Sequence, residues 1–532
     1  MPYIGGGFGG KSDVTIEPLL VHIARHLPGE WIKLVLEREE MFVGSVVGRG
    51  MVGKIKMGVK KDGTIQASAI EMLFNAGAYG EYAINVICGG GQNAPGPYRI
   101  PHLKVDAYAV YTNLPYVGAF RGYGHPEGHW MTERMMDIVA KELNMDPLQV
   151  RLKNAYRPGD INAIGQKLER YNGNLSLCLK KAAKEVGWKV KGKNVTRIKD
   201  GFRAKAVCSL MKSPVQATNA HVTAILKFNE DASVNLLIST CEMGQGALTV
   251  FSQIASEALQ LPLEKIRVTR NPDTELFPYD WQTVASKATF AGGQAIIKAA
   301  ECALQQVKET ACRVFKVPRE KVHYRKGTVF VKGTTKKLPL ASLVNGYMFE
   351  DGRTVGGPVI GYGVYTPRNL QIPGIKKPGL KEGQGNIAAS WTMGSQAVEV
   401  EVNTKTKEIK VLKLVTAIDA GKIINPLLAR GQIVGGMVQA LGQALMEKII
   451  YSQDGKNRNP GFTDYKIPTL EDLKDVDIRV LFVETRDKHG PFGARGLGEH
   501  AALSIAPAIA NAVARATGVE IFDLPIKLNP EL

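Results

Sequence analysis

The feature that most constrains this chain is a unit that recurs three times: two alternating strands joined by a tight turn and ending in a glycine loop. A strand beginning at Lys54 turns at Lys60-Lys61-Asp62-Gly63-Thr64 and returns over residues 65–74. It ends in Asn75-Ala76-Gly77-Ala78-Tyr79-Gly80. Residues 221–228 and 234–240, joined across 229–233, lead into Cys241-Glu242-Met243-Gly244-Gln245-Gly246. Residues 397–402 and 408–418, joined across 403–407, lead into Asp419-Ala420-Gly421. Three hairpins delivering three glycine loops point to a pocket assembled from distant segments, although a hairpin that ends in glycine is also ordinary sheet grammar.

Apolar residues at helical spacing predict helices over 127–144, 248–259, 295–314, 426–446 and 501–516. Strands and helices intermix along the whole length, so the class is α+β (mixed α/β). The polar stretch 157–174 and the basic one running to Asp200 flank a helical piece at 175–188. This places a domain boundary near residue 170, dividing the chain into 1–170 and 171–532.

Composition excludes several classes. With 532 residues and 44% hydrophobic content the chain can bury a large core. Its most apolar window, 433–446, is interrupted by Gly435, Gly436, Gln439, Gly442 and Gln443, which predicts no membrane span. Met1-Pro2-Tyr3-Ile4 runs into glycines without a signal-peptide pattern, so a cytoplasmic location is expected. Six scattered cysteines lack a C-x-x-C pair and read as reduced thiols, with no iron–sulfur or zinc site on this chain. The formal charge of +18 gathers partly in 180–205 and 313–337. Neither stretch interleaves aromatics with its basic residues, so nucleic acid is not expected, whereas attraction for anionic cofactors and partners is.

Three short stretches carry candidate chemistry. Gly5-Gly6-Gly7-Phe8-Gly9-Gly10-Lys11-Ser12 satisfies the phosphate-loop pattern G-x-x-x-x-G-K-[ST], making an NTPase the rival reading. Such a loop needs a buried strand before it, however, and only four residues precede Gly5, while Pro18 interrupts the segment where its helix would begin. In the loop 117–128, Arg121 is flanked by Phe120 and Tyr123, which suits a planar ligand or, more blandly, a surface turn with two anchoring aromatics. Finally, the loop 490–503 has glycines at 490, 493, 496 and 498 and delivers Glu499 just before an apolar run. Glu499 is expected on the first turn of a helix, either as a general base at a pocket mouth or as a complement to the helix dipole.

Six motifs in register extend this reading: Gly-Gly-Gly-Phe-Gly-Gly-Lys at 5–11, Ala-Phe-Arg-Gly-Tyr-Gly at 119–124, Glu-Met-Gly-Gln-Gly at 242–246, Thr-Val-Ala-Ser at 283–286, Gly-Gln at 431–432 and Gly-Leu-Gly-Glu at 496–499. Together they resemble the molybdenum-cofactor subunit of the xanthine dehydrogenase and aldehyde oxidase family, over nearly the whole chain. The resemblance implies two molybdopterin-binding domains with the cofactor between them, in the cytosine dinucleotide form common in bacterial members. Phe8, Arg121 and Ala285 match positions that approach the metal through their backbone. Gly9, Gly244, Gln245, Gly246, Ser286 and Gln432 fall in the cofactor-contacting motifs, and Phe120 and Tyr123 flank the substrate position. Glu499 matches the catalytic base and Arg121 accompanies it. The implied reaction is hydroxylation of an aldehyde or N-heteroaromatic compound with water as the oxygen source, the alternative within this resemblance being a non-catalytic subunit that keeps the fold. Its electrons would pass to iron–sulfur and FAD-binding partner subunits.

Departures from the family pattern shape these expectations. Ser12 stands where purine-oxidising members have glutamate, and Gly89 where they have a substrate-binding arginine; of their two ring-sandwiching phenylalanines, one position is Tyr123 and the other falls near Pro214. Purine specificity is therefore not expected. Arg121-Gly122-Tyr123 carries no cysteine of the kind found in carbon monoxide dehydrogenases, which argues against that activity. His500 replaces the usual proline after the glutamate and would shift the base's pKa if its ring lies close. The family's upstream domain has no counterpart here, which implies a separate chain carrying it or an incomplete reading frame.

Overall fold

The computed structural model of the chain describes residues 4–528 except 81, 191, 217–220, 271 and 368–383, with the side chains of 214–216 also outside the description. The expected second ring-sandwiching position, Pro214, therefore lies outside the described side chains.

The three predicted hairpins all form. Met51–Val59 pairs antiparallel with Ile65–Gly77, which in turn runs parallel to His102–Tyr111. A parallel pair needs a crossover, here supplied by helix Ala83–Asn93. Ile70, Met72 and Phe74 alternate onto the buried face and pack with Ile87 and Met131.

The central sheet has five strands in the order Asp477–Val483, Ile409–Asp419, Ala388–Asn403, Gly201–Gln216, Val195–Ile198. Alternation sorts its two faces. Ala204, Ala206, Cys208, Val398 and Val400 meet helices Pro426–Leu445 and Ile505–Thr517, while Val207, Met211, Ala397 and Val415 meet helix Leu175–Glu185. A four-stranded sheet, Ile360–Tyr365, Val222–Phe228, Val234–Ile238 and Ile266–Val268, is covered by helices Ala247–Leu259 and Gly293–Phe315. The mixed α+β class is thus observed.

The N-terminal sheet unit is tied to the central sheet by buried charge. Glu133, on helix His125–Glu142, accepts from Tyr98 Oη (2.5 Å), Arg151 Nε (2.7 Å) and Ser209 N (3.1 Å). Asp137, one turn on, accepts from Arg151 Nη1 (2.7 Å) and Arg515 Nη2 (2.6 Å). Ser209 belongs to the central sheet and Arg515 to helix Ile505–Thr517, so the network fixes the relation between parts of the chain that jointly form the cavity described below.

Two expectations need correction. The helix predicted over 501–516 begins only at Ile505, after a short turn His500–Ala502, so Glu499 is not on its first turn. Its carboxylate is held by tertiary partners instead of by a helix end. Pro18, expected to interrupt the segment where a phosphate loop's helix would begin, sits instead in the first turn of Glu17–His26, where its missing N–H has no intrahelical partner to lose.

Candidate active site

Six separate segments converge on one cavity of about 860 Å³. Phe8, Gly9, Phe120, Arg121, Tyr123, Gly244, Gln245, Ala285, Ser286, Gln432 and Glu499 all line it. Gly246 lies just behind the wall, as the residue preceding helix Ala247–Leu259. The loops turn sharply to reach this point: Phe8, Tyr123, Ala285 and Ser286 hold φ of 55°, 54°, 51° and 52°. Left-handed backbone at non-glycine residues is costly and clusters where ligands are held. The loops also lock together. Gly6 N donates to Met243 O at 3.1 Å, and a Cβ on Gly9 would stand 2.0 Å from Ala119 O, so only glycine permits that approach.

Glu499 is held in the cavity by three donors. Its Oε2 accepts from Ser286 Oγ at 2.9 Å and from Lys212 Nζ at 2.9 Å, while Oε1 accepts from Gly122 N at 3.2 Å. Burial pushes the carboxyl pKa up, but the Lys212 ammonium and the Ser286 hydroxyl more than reverse this, leaving it below its ordinary value. Glu499 is therefore ionised at neutral pH. His500 is buried, donates through Nε2 to Lys212 O at 3.2 Å, and is pushed down to about 3 by burial and by the Lys212 charge. The ring, whose effect on the base the sequence left conditional on its distance, is within electrostatic reach of Glu499 and is neutral at neutral pH.

Arg121 is 5% exposed, and its guanidinium is directed at protein oxygens. Nε donates to Gly498 O (2.6 Å), Nη2 to Gln432 O (2.8 Å) and Nη1 to Gln439 Oε1 (3.0 Å). Its carbon sits 5.5 Å from the centre of the Phe8 ring. Burial lowers its pKa to about 10, partly offset by Glu499, and the side chain stays charged. It pins three site segments to one another.

In the 241–246 loop, Glu242 takes the backbone N–H groups of Gly244 (2.9 Å), Gly246 (2.9 Å) and Leu248 (3.0 Å) on its carboxylate. Gln245 closes on its own loop, donating to Cys241 O at 2.8 Å and accepting from Met243 N at 2.6 Å. These groups shape the wall, and their donors are already engaged.

At the far end, Gln282 Nε2 donates to Ser12 O (3.1 Å) and meets Tyr82 Oη, whose ring packs edge-on to Tyr123 at 6.4 Å. Gly89 lies buried in helix Ala83–Asn93, where a Cβ would stand 2.8 Å from Tyr123 O. Lys11 Nζ donates to Gly6 O at 2.8 Å, folding back on its own loop.

Sequence reasoning missed Lys212. The available signal was a lone charge in the strand segment Val207-Cys208-Ser209-Leu210-Met211-Lys212, but a strand pattern does not name its partner 287 residues away. It also missed the role of Glu242 and the buried Lys287–Asp280 pair in the cavity wall.

Comparisons with known proteins agree with this architecture. Residues 1–155 and 179–474 each match a molybdopterin cofactor-binding domain family. The chain is 31% identical over 538 residues to a xanthine dehydrogenase molybdenum-binding subunit of Escherichia coli O157:H7, covering 98% of this chain and 67% of that one. It is 28% identical to the gamma subunit of a 6-hydroxypseudooxynicotine dehydrogenase complex of Paenarthrobacter nicotinovorans, covering 98% and 65%. The solved structure of quinoline 2-oxidoreductase from Pseudomonas putida 86 superposes with a TM-score of 0.84 at 26% identity, covering all of this chain and 67% of that one.

Proposed function

The chain belongs to the xanthine dehydrogenase and aldehyde oxidase family of molybdenum oxidoreductases, and on that premise we propose that its cavity holds a molybdopterin cofactor beside Glu499 as general base. The reaction proposed is hydroxylation of an aldehyde or N-heteroaromatic substrate with water as oxygen source. The residues present fit such a group. The cavity lies toward the upper end of the usual range for small-molecule and cofactor sites, roughly 300–1,000 Å³. Its lysines and arginines are already engaged by protein oxygens, Lys212 by Glu499, Lys287 by Asp280 and Arg495 by Asp419, so an anionic tail would rest on the glycine loops, where Gly5 and Gly244 face open space and allow close backbone approach. Phe8, Gly9, Ala285, Ser286 and Gln432 would hold it, with Gly244 and Gln245 shaping the wall.

When bound, the cofactor supplies a Lewis-acidic metal that activates water and accepts two electrons. The chain's own residues do the rest. Ionised Glu499 accepts a proton from the attacking oxygen, and its three donors keep it from swinging away. Arg121 fixes the loop that carries it, by holding the Gly498 carbonyl. Phe120 and Tyr123 flank the space for a flat substrate. The close packing of Gly89 on Tyr123 leaves no room there for an arginine, which favours substrates other than purines.

The observation that carries this reading is a largely buried, ionised carboxylate facing a cavity built by all six motif segments. We also infer a cytosine dinucleotide cofactor, iron–sulfur and FAD-binding partner subunits, a further chain supplying the upstream domain, a cytoplasmic location, and a division of the chain near residue 170. No helix among the described residues is long and apolar enough to cross a membrane. Metal and pterin analysis of the complex purified with its partners, followed by a dye-linked assay on aldehydes and azaheterocycles, tests the proposal. A complex without molybdenum, or one that binds ATP with Mg²⁺ through residues 5–12, would refute it.

A further inference from the structure

Lys212 is 0% exposed, on the strand Gly201–Gln216 of the central sheet, and lines the cavity. A buried ammonium needs an anion and hydrogen-bond acceptors. The acceptors here are Glu499 Oε2 at 2.9 Å and Ser213 O at 3.2 Å. The same residue's carbonyl takes the Nε2–H of His500 at 3.2 Å. One residue of the strand thus grips both Glu499 and its neighbour, one through its side chain and the other through its backbone.

The two carboxylate oxygens are unequal as a result. Oε2 is loaded with two donors, one of them charged, whereas among the described residues Oε1 takes the N–H of Gly122 alone, at the long distance of 3.2 Å. An oxygen that accepts two short hydrogen bonds is a poor site for a further proton, and one with a single long bond is the better site. We propose that Lys212 is the positioning residue of the base, holding the carboxylate by Oε2 so that Oε1 is the atom that receives the proton. The step moves one proton from the attacking oxygen to Oε1, with no change in redox state at Lys212 or Glu499.

The charged and titratable groups around the pair support Lys212 as the dominant influence. Arg121 approaches from the loop before helix His125–Glu142, but its donors are turned to Gly498, Gln432 and Gln439. His500, next in sequence, and His125 and His129, on that helix, are all lowered by burial and are neutral at neutral pH. Lys212 is the cation that touches the carboxylate. This proposal rests on Glu499 acting as base, and one arm of its test does not.

The test compares wild type with Lys212→Met and Lys212→Arg in the assembled, cofactor-loaded complex, measuring kcat and KM against pH. Removing the charge should move the acid limb of kcat/KM up by about one pH unit or more. It should also lower kcat at least about tenfold with KM little changed, while arginine restores both. In parallel, a water-soluble carbodiimide, which couples to protonated carboxyls, is applied across pH to the same three proteins stripped of cofactor. Coupling at Glu499, read by peptide mass spectrometry, should begin at higher pH in Lys212→Met than in wild type or Lys212→Arg. If the methionine variant does not fold, Lys212→Gln takes its place with the same expectations. An acid limb and a coupling profile both unchanged without the charge would overturn the proposal. A shifted coupling profile in a protein that turns over no substrate, wild type included, would uphold Lys212 while removing the proposed reaction.

Discussion

Arg121 Nε donates to the carbonyl of Gly498 at 2.6 Å, across 377 residues of sequence, so the residue just before the carboxylate is set by a side chain from the other end of the chain. The same guanidinium reaches Gln432 and Gln439 on helix Pro426–Leu445. Removing it leaves the partly buried carbonyls of Gly498 and Gln432 without this donor. Arg121→Met should therefore lower stability by about 2–4 kcal/mol and release the loop 494–499. Thermal unfolding and hydrogen exchange of that loop check this, and unchanged protection would contradict the pinning role.

Glu499→Gln keeps the shape but is no base. Its amide still meets Ser286, although its NH₂ group faces either Lys212 or Gly122 without an acceptor. Molybdenum and pterin content should stay near wild type while kcat falls by about 10²–10⁴. Metal analysis alongside single-turnover reduction of the complex separates this from simple loss of cofactor.

Gly89→Arg would test whether the purine pattern can be restored at one position. With a Cβ only 2.8 Å from Tyr123 O, a backbone atom, the helix or the Tyr123 loop must shift. The expected outcome is a loss of about 2 kcal/mol or more with no gain of purine oxidation. A stable variant that oxidises hypoxanthine would show the packing to be softer than the geometry implies.

Stability should fall with acid because buried histidines are held neutral in the folded chain. His500 has its pKa pushed from 6.5 to about 3 in the folded chain, so the unfolded state binds the extra proton first. The stabilisation from keeping it neutral is full above about pH 6.5 and shrinks by about 1.4 kcal/mol per unit as pH falls toward 3. His125 and His129 are lowered in the same direction and add to the slope. Melting temperature measured from pH 8 to pH 5 should drop, and His500→Gln should flatten that drop.

Much of the scaffold was legible in the chain itself, because alternation and glycine-rich turns are local. The hairpin at Lys60-Lys61-Asp62-Gly63-Thr64 and the strands on either side follow from period-two burial, and the glycine motifs mark where the backbone must turn or approach closely. Helix onset was less legible. Ala501 and Ala502 carry helical propensity, yet the α-helix waits for Ser504 because Glu499 and His500 are drawn into contacts with Ser286 and Lys212.

What the sequence by itself determined is the set of elements and the six loops that end them, since each is written within a dozen residues. What only the tertiary structure decided is which groups those loops oppose. The lysine at 212 faces the glutamate at 499, the carboxylate of Glu242 occupies the donors of Gly244 and Gly246, and the guanidinium of Arg121 is turned to backbone oxygens. Such pairings arise because burying a charge is costly without a partner, and the partner can come from any part of the chain that the core brings within reach.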